Sequence, residues 1–525
     1  MGKSVVFIAN EERENLGVRY MFSVLSGAGY QIKVIDFRKP RSVILEVLQR
    51  QQPLLTGFSL IFENHIYDFR DLVVFLRDQG IGHHFCAGGH FASLRPEMLF
   101  EIIPWLDSIV RFEGERTILD LVNKIHSGTG WKKVTGISYM QNGTMIHNPL
   151  RPLEKDLDQF PFPDRSKMPE YVFGKKYATL IAGRGCIYNC IFCNCREFYR
   201  LPPGPIKRIR DPAWVAEEIE FLHHEKDCSV FLFQDDDFPV SIGGKSTWIE
   251  KFCKNLADKN LPGKIMWKIN CRTDEVEAGV FEFMKHHGLF RVFLGFEEGT
   301  DPGLEWMNKK LTVSDHIRAV DILKGLGIGI EFGFMLFHPR TTYDSLRKNL
   351  RFLENICSDG YLPVTFNKML PYFETRIEKE MKIAGRLKGV PGSLDYDLLP
   401  RSLNDFQTFV FDSFQHWLNP AHGLASMAKW AEIHLSVFEY YFGTRKATEY
   451  LSSELAVLVA DANRYMINML RKLSVLFERS DLSPVHPDEL IPYREDIAET
   501  QLDLRQRLQE IIGNTELLYL SRQLL

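Results

Sequence analysis

Four of the nine cysteines in this 525-residue chain fall within one stretch, Arg184-Gly185-Cys186-Ile187-Tyr188-Asn189-Cys190-Ile191-Phe192-Cys193-Asn194-Cys195. The first three are spaced C-x3-C-x2-C, with the aromatic Phe192 directly before the third. Thiolates are soft ligands suited to iron–sulfur clusters. Three of them close together can hold three irons of a four-iron cluster and leave the fourth iron to an outside ligand. A zinc site is the competing chemistry, but zinc wants four protein ligands in paired spacings. Cys195 stands one residue beyond Cys193's neighbour, an awkward spacing for a fourth ligand, and reads as a loop or core cysteine. The expected metal ligands are therefore Cys186, Cys190 and Cys193. No residue presents itself as a catalytic acid or base.

The elements that must position this loop alternate between strand and helix patterns. From Tyr177 to about Pro371 the strand runs are ATLIAG (178–183), SVFLFQ (229–234), IMWKIN (265–270), RVFLGF (291–296), IGIEFGFMLF (328–337) and VTFNKML (364–370). Right-handed crossovers curl such a series, which predicts a partial (β/α)6 barrel with the cysteine loop after its first strand. Ligand groups in such folds gather at strand ends. Gln234-Asp235-Asp236-Asp237-Phe238 follows the second strand, Arg272 the third, and Gly295-Phe296-Glu297-Glu298-Gly299 the fourth, with Asn308-Lys309 beyond. Three adjacent carboxylates repel one another and call for a cation or donor nearby. A solvated acidic turn is the other reading of that run.

Cys186, Cys190, Phe192 and Cys193, preceded by Arg184-Gly185, resemble the radical S-adenosylmethionine (SAM) superfamily. The resemblance implies a [4Fe–4S] cluster whose open iron chelates the amino and carboxylate groups of S-adenosyl-L-methionine. One-electron reduction, from a donor such as flavodoxin or ferredoxin, then breaks the sulfur–carbon bond and yields a 5′-deoxyadenosyl radical. It also implies that Phe192, Asp235, Asp236, Arg272 and Glu297 contact S-adenosylmethionine. The two aspartates face its ammonium, Arg272 lies near its carboxylate or ribose, and Glu297 takes the ribose-contacting place of a G-x-E-S-G pattern. Three positions depart from the family. Glu298 replaces the Ser of that pattern. The fifth-strand G-x-P-G-x-T reads Phe337-His338-Pro339-Arg340-Thr341-Thr342, and the sixth-strand P-x-P-G-T reads Pro371-Tyr372-Phe373-Glu374-Thr375. The last two lie where adenine or substrate would sit, with Phe337 narrowing the approach. Substrate choice and plain loop variation are both open.

Residues 1 to about 125 carry the strand runs SVVFIA (4–9), IKVIDF (32–37), LLTGFSLIF (54–62), HHFCAGG (83–89) and SIVRFEG (108–114). Helical patterns such as 43–48 and 71–79 separate them, which predicts a parallel, doubly wound, Rossmann-like sheet. Residues 132–147 predict a hairpin turning at Asn142-Gly143. Asn15-Leu16-Gly17, Gly88-Gly89-His90 and Phe112-Glu113-Gly114-Glu115 resemble the cobalamin-binding domain fused to many radical SAM enzymes. Glycines at strand ends permit close approach of a large ligand. The resemblance implies cobalamin along Gly17, Ser59, Gly88, Gly89, His90, Glu113 and Gly114. Domains that ligate cobalt from below carry D-x-H-x-x-G after the first strand. Here that loop is Asn10-Glu11-Glu12-Arg13-Glu14, without histidine, and His90 on another loop reads as a packing or tail contact. The implied lower axial site is empty or water-filled. A domain that keeps the fold and binds no cobalamin is the other reading.

The fold class is thus α/β, in an order of domains that follows the chain. Residues 1–147 form the cobalamin-binding-type domain, 148–172 a linker rich in proline (Pro149, Pro152, Pro161, Pro163, Pro169), 173–400 the barrel and 401–525 a helical C-terminal domain. In 447–479 apolar residues recur at Leu451, Leu455, Leu458, Ala462, Tyr465, Met469, Leu473 and Leu476, the steps of one helix face. Apolar residues make up 45% and charged residues 25%, a globular composition. The net charge of -4 offers no basic excess for nucleic acid. No apolar run nears the roughly 20 residues of a membrane span, and the N-terminus shows no cleavage-site signature. A cysteine cluster of this kind suits metal in a reducing compartment, so a cytoplasmic protein is expected. The leading expectation is a cobalamin-dependent radical methyltransferase acting on an unactivated carbon of a small molecule or natural-product intermediate. In that family the substrate radical takes methyl from methylcobalamin, and a second S-adenosylmethionine restores it. A radical dehydratase, epimerase or cyclase with a structural N-terminal domain is the alternative. An iron–sulfur or cobalamin sensor protein comes third, since the C-terminal helices lack a basic recognition stripe.

Overall fold

The computed structural model describes residues 3–11, 14–61, 63–166, 169, 172–240, 247–443, 446–479 and 485–523. The N-terminal strands are β1 (Ser4–Ala9), β2 (Gln31–Asp36), β3 (Leu55–Ser59), β4 (His84–Gly88) and β5 (Ser108–Val110). They run parallel in the order β2-β1-β3-β4-β5. A hairpin of β6 (Ile137–Gln141) and β7 (Thr144–His147) extends the sheet with antiparallel pairing. Its turn residues Asn142 and Gly143 have φ of 52° and 77°, the left-handed pair that a two-residue hairpin requires. Helices cover both faces, so β1 is buried along its whole length and apolar from Val5 to Ala9. Val6 and Ile8 join one core with Phe58 and Phe85, while Val5 and Phe7 join another with Leu25 and Val122.

The order places a reversal between β1 and β3, the position where open α/β sheets hold ligands at their carboxyl ends. Asn15 caps the helix Leu16–Gly27 there. Its side-chain oxygen accepts from Val18 N–H at 3.2 Å, and its amide approaches Ser59 Oγ at 3.5 Å.

A second series begins with β8 (Lys176–Leu180). The short β9 (Gly183–Arg184) and β10 (Arg208–Ile209) pair antiparallel. Then come β11 (Cys228–Phe233), β12 (Met266–Cys271), β13 (Leu289–Glu297), β14 (Gly329–Phe337) and β15 (Asn367–Lys368). The sheet order β15-β14-β13-β12-β11-β8 follows the chain, and β11 to β15 are parallel, a half-barrel built by successive crossovers. The run 364–370 gives only two strand residues. Asn463 Oδ1 accepts from Val364 N–H at 2.8 Å and Trp417 Nε1 donates to Val364 O at 2.9 Å, so helix side chains take the groups a strand ladder would use. A further pair, β16 (Leu387–Val390) and β17 (Ser393–Tyr396), lies beyond the expected strands. Among the described residues no strand follows it. In the helix Lys446–Arg479, Leu451, Leu455, Leu458, Ala462, Met469 and Leu473 are buried.

The chain forms two compact units that interleave in sequence. Residues 1–168, 178–218 and 371–395 make the first, and 169–177, 219–370 and 396–525 the second. The first unit joins β1–β7 to the cysteine loop. In the second, Glu331 of β14 is surrounded by cations. Burial works against its carboxylate, but Lys268, Arg291 and Lys429 hold it down at about 2.

Candidate functional site

The cysteine loop belongs to the first unit. Cys186 and Cys190 are half-buried and Cys193 is exposed. Cys193 N–H donates to Cys190 O at 3.2 Å, and Ile377 N–H donates to Ile191 O at 3.3 Å. Phe192 is half-buried between them. Cys195 opens the helix Cys195–Arg200 and is buried in a core with Leu94, Phe198 and Tyr199. Gly185 lets the loop turn. It has φ of 82°, and a Cβ there would stand 2.0 Å from Ile206 O. Among the described residues no group of three or more His, Cys, Asp or Glu side chains is gathered to metal-holding distance. The donor set of three neighbouring thiols nonetheless has the chemistry that iron–sulfur binding needs.

Arg184, directly before Gly185, is held from the N-terminal sheet. Its guanidinium pairs with Glu113 at 3.1 Å and Glu115 at 2.6 Å and lies over the rings of Tyr20 and Phe160. Glu113 also takes Arg208 at 2.8 Å and accepts from Glu154 N–H at 3.3 Å. Its carboxylate is therefore engaged by two arginines. Gly114 lies between the two acids and packs against Met21. His90 stacks on Phe198 with ring centres 4.1 Å apart. Ser59, Gly88 and Gly89 lie half-buried at the strand ends, and Gly17 is exposed on the first helix. Gly89, with φ of 113°, presses so close to Leu60 O that a Cβ would come within 2.3 Å. In the loop after β1, Glu12 and Arg13 lie outside the described residues. Glu14 pairs with the buried Arg165 and accepts from both Thr179 N–H and its hydroxyl.

The other expected site residues belong to the second unit. Asp235 and Asp237 are buried and Asp236 is exposed. Asn270 Nδ2 donates to Asp235 O at 3.2 Å. Nearby Glu275 is pushed up to about 8, first by burial and then by Asp237. Arg272 donates to Asp274 at 3.0 Å and to Lys309 O at 2.8 Å. Glu297 ends β13 with φ of 67°, and the register shifts between Gly295 and Glu297. Its carboxylate lies above two glycines. A Cβ on Gly295 would meet Oε1 at 2.7 Å, and one on Gly333 would meet Oε2 at 3.3 Å. Lys309 Nζ donates to Gly295 O at 2.9 Å and stands 3.8 Å from Glu297. Burial raises the Glu297 pKa and Lys309 works against it. Lys309 thus links Arg272 to Glu297, a role its place in Asn308-Lys309 does not announce.

Residues 180–353 match the radical SAM superfamily, and residues 3–122 match the B12 binding domain. The chain is a radical SAM protein with a B12-binding domain. An uncharacterized methyltransferase of Pyrococcus horikoshii is 26% identical over 368 residues, 69% of this chain and 77% of that one. The anaerobic magnesium-protoporphyrin IX monomethyl ester cyclase of Rubrivivax gelatinosus is 29% identical over 348 residues, 62% of this chain and 60% of that one. The solved cobalamin-dependent S-adenosylmethionine radical enzyme OxsB shares the fold with a TM-score of 0.69 at 18% identity, over 99% of this chain and 81% of that one.

A radical SAM domain implies a [4Fe–4S] cluster and S-adenosylmethionine, and a B12-binding domain implies cobalamin. Two of this radical SAM protein's departures from the family pattern meet in space. Glu298 is fully buried, takes the Thr300 hydroxyl at 2.8 Å and pairs with His338 at 3.1 Å. Phe337 does not narrow any approach to a strand end. Its ring is fully buried against Phe366, Phe406 and Phe411, because strand alternation turns it toward the C-terminal helices.

Proposed function

We propose that this chain is a cobalamin-dependent methyltransferase that acts by radical chemistry on an unactivated carbon of a small molecule or natural-product intermediate. What carries the reading is the first unit. The carboxyl-end edge of a B12-type sheet and the three-cysteine loop belong to one compact body, joined by Arg184 to Glu113 and by Phe198 to His90. Cys186, Cys190 and Cys193 would hold the cluster. Phe192, Asp235, Asp236, Arg272 and Glu297 would bind S-adenosylmethionine. The small groups at Gly17, Ser59, Gly88 and Gly89 would receive cobalamin, with His90 and Gly114 beside them. These cofactors together supply reductive cleavage of a sulfur–carbon bond and a transferable methyl group; the protein supplies binding and orientation.

Glu297 accepts ribose hydroxyls in this reading, held by the glycines beneath it and by Lys309. Arg272, pinned by Asp274, offers fixed positive charge. No histidine stands in residues 10–14, so this loop would offer a bound cobalamin no imidazole ligand. Electrons come from a flavodoxin or ferredoxin, and the reducing cytoplasm suits a thiolate-held cluster. The 29% identity to an anaerobic magnesium-protoporphyrin IX monomethyl ester cyclase favours cyclisation as the second reading.

The test uses anaerobically reconstituted protein and the small molecule that accumulates in a strain lacking the gene. The cob(II)alamin paramagnetic spectrum should lack nitrogen splitting. Each turnover should convert one S-adenosylmethionine to 5′-deoxyadenosine and another to S-adenosylhomocysteine, and a deuterated methyl should reach the product intact. Product formed without cobalamin and without S-adenosylhomocysteine would overturn the methyltransferase and favour the cyclase.

A further inference from the structure

Arg184 and the two acids that hold it do more than join two parts of a core. Arg184 and Arg208 face each other across the β9–β10 pair, and both reach Glu113. Glu115 takes the remaining arm of Arg184 at 2.6 Å. Only Gly185 separates Arg184 from Cys186, and it packs so closely on Ile206 O that a Cβ would stand 2.0 Å away. The position of Cys186 is thereby set by two carboxylates, Glu113 beyond β5 and Glu115 at the start of the helix Glu115–His126, which lie 71 and 69 residues before Arg184 in the chain. The guanidinium is nearly enclosed, so these pairs are weakly screened by solvent. A planar fork gripped at two points fixes direction as well as distance, which an ammonium cannot do.

We infer that Glu113, Glu115 and Arg184 are positioning residues for the cluster loop. The inference rests on the reading of Cys186, Cys190 and Cys193 as cluster ligands. In it the acids of Phe112-Glu113-Gly114-Glu115 act on the cysteine loop rather than on a ligand of the B12-type domain.

The experiment compares Glu115→Gln and Arg184→Lys with the unaltered full-length protein after anaerobic reconstitution with iron and sulfide. Both variants should take up iron to the same extent. Both should release it to a chelator about tenfold faster, the usual scale for loss of an outer support of metal ligands. The paramagnetic signal of the reduced cluster should respond differently to S-adenosylmethionine. The matched control is Arg210→Lys. Arg210 is a buried arginine paired with Glu218 at 2.7 Å and Asp158 at 3.0 Å, neither of them in the cysteine loop. It should release iron at the unaltered rate. Release from Glu115→Gln and Arg184→Lys at the unaltered rate would overturn the inference. So would equal acceleration by Arg210→Lys, which would mark ordinary destabilisation, read independently as a fall in melting temperature. Failure of the unaltered protein to take up a cluster would instead overturn the ligand reading itself.

Discussion

His338 donates from Nε2 to the buried carboxylate of Glu298 across 3.1 Å, joining the residue that follows β13 to the residue that follows β14. The proton lies on Nε2 because Nδ1 accepts from Arg340 N–H at 3.2 Å. Trp306 packs over the imidazole with ring centres 4.9 Å apart. Gly303 makes room for the acid, since a Cβ there would stand 2.4 Å from Glu298 Cγ. A larger acid at one strand end is thus matched by a donor at the next.

This pairing predicts strong coupling between the two positions. His338→Ala leaves a buried carboxylate short of a donor and should cost about 2–3 kcal/mol. Glu298→Ser in the same protein should recover much of that loss. A double-mutant cycle by chemical unfolding should give a coupling energy of about 1.5–3 kcal/mol. Additive effects would mean that the contact contributes no net stability.

The four neighbouring cysteines should separate into two classes. Anaerobically reconstituted protein should hold about four irons, and replacing Cys186, Cys190 and Cys193 together by Ala should abolish this. Cys195→Ala should keep the iron, because its thiol packs among Leu94, Phe198 and Tyr199. Loss of iron from Cys195→Ala, with retention in one of the other single variants, would reassign the ligands.

Two variants test Glu297 differently. Glu297→Ala removes the carboxylate. Gly295→Ala leaves it in place but drives a methyl against Oε1 and toward Lys309 Nζ, 3.1 Å away. Each should weaken S-adenosylmethionine binding by about one to two orders of magnitude, the value of a hydrogen bond to a charged group. Iron content should not change. Unaltered affinity in both, measured by titration, would remove Glu297 from the site. Because burial raises the Glu297 pKa, affinity should fall earlier, as pH is lowered, than protonation of an exposed glutamate would make it.

Stability of the first unit should rise with pH between about 5 and 6. Burial first, then the nearby Arg77, push His83 and His84 down to about 4 from 6.5, so the unfolded chain binds their protons before the fold does. Each lowers stability by up to about 1.4 kcal/mol per pH unit as pH falls from 6.5 toward 4. Glu63 opposes them. Burial and the neighbouring Glu378 push it up to about 7 from 4.5, so the fold keeps a proton that the unfolded chain has released. Glu11, also raised by burial, acts in the same sense as Glu63, so Glu63→Gln should steepen the rise of stability with pH. Hydrogen exchange of β3–β4 amides across this range measures the slope. An unchanged slope in Glu63→Gln would show that Glu63 titrates normally.

Much of this protein is legible in local spacing. The apolar run Val5–Ala9, the turn at Asn142-Gly143, the strands from β11 to β14 and the C-x3-C-x2-C loop all follow from patterns within a dozen residues. Period-two and period-three-to-four spacing report which face is buried, and that information is local. The same spacing marks Glu297 as a strand-end acid. It does not reveal the left-handed backbone that holds it, nor Lys309 beside it. Phe337 reads as a side chain at a ligand edge until the C-terminal helices are seen to claim its ring. Val364 reads as strand until Asn463, 99 residues later, takes its N–H. Glu113 reads as a ligand contact, and Arg184 carries no assigned partner, until packing brings them together across 71 residues. Burial and ion pairing depend on which distant elements share a core. That is set by the packing of sheets and helices against one another, and so the tertiary structure alone decides it.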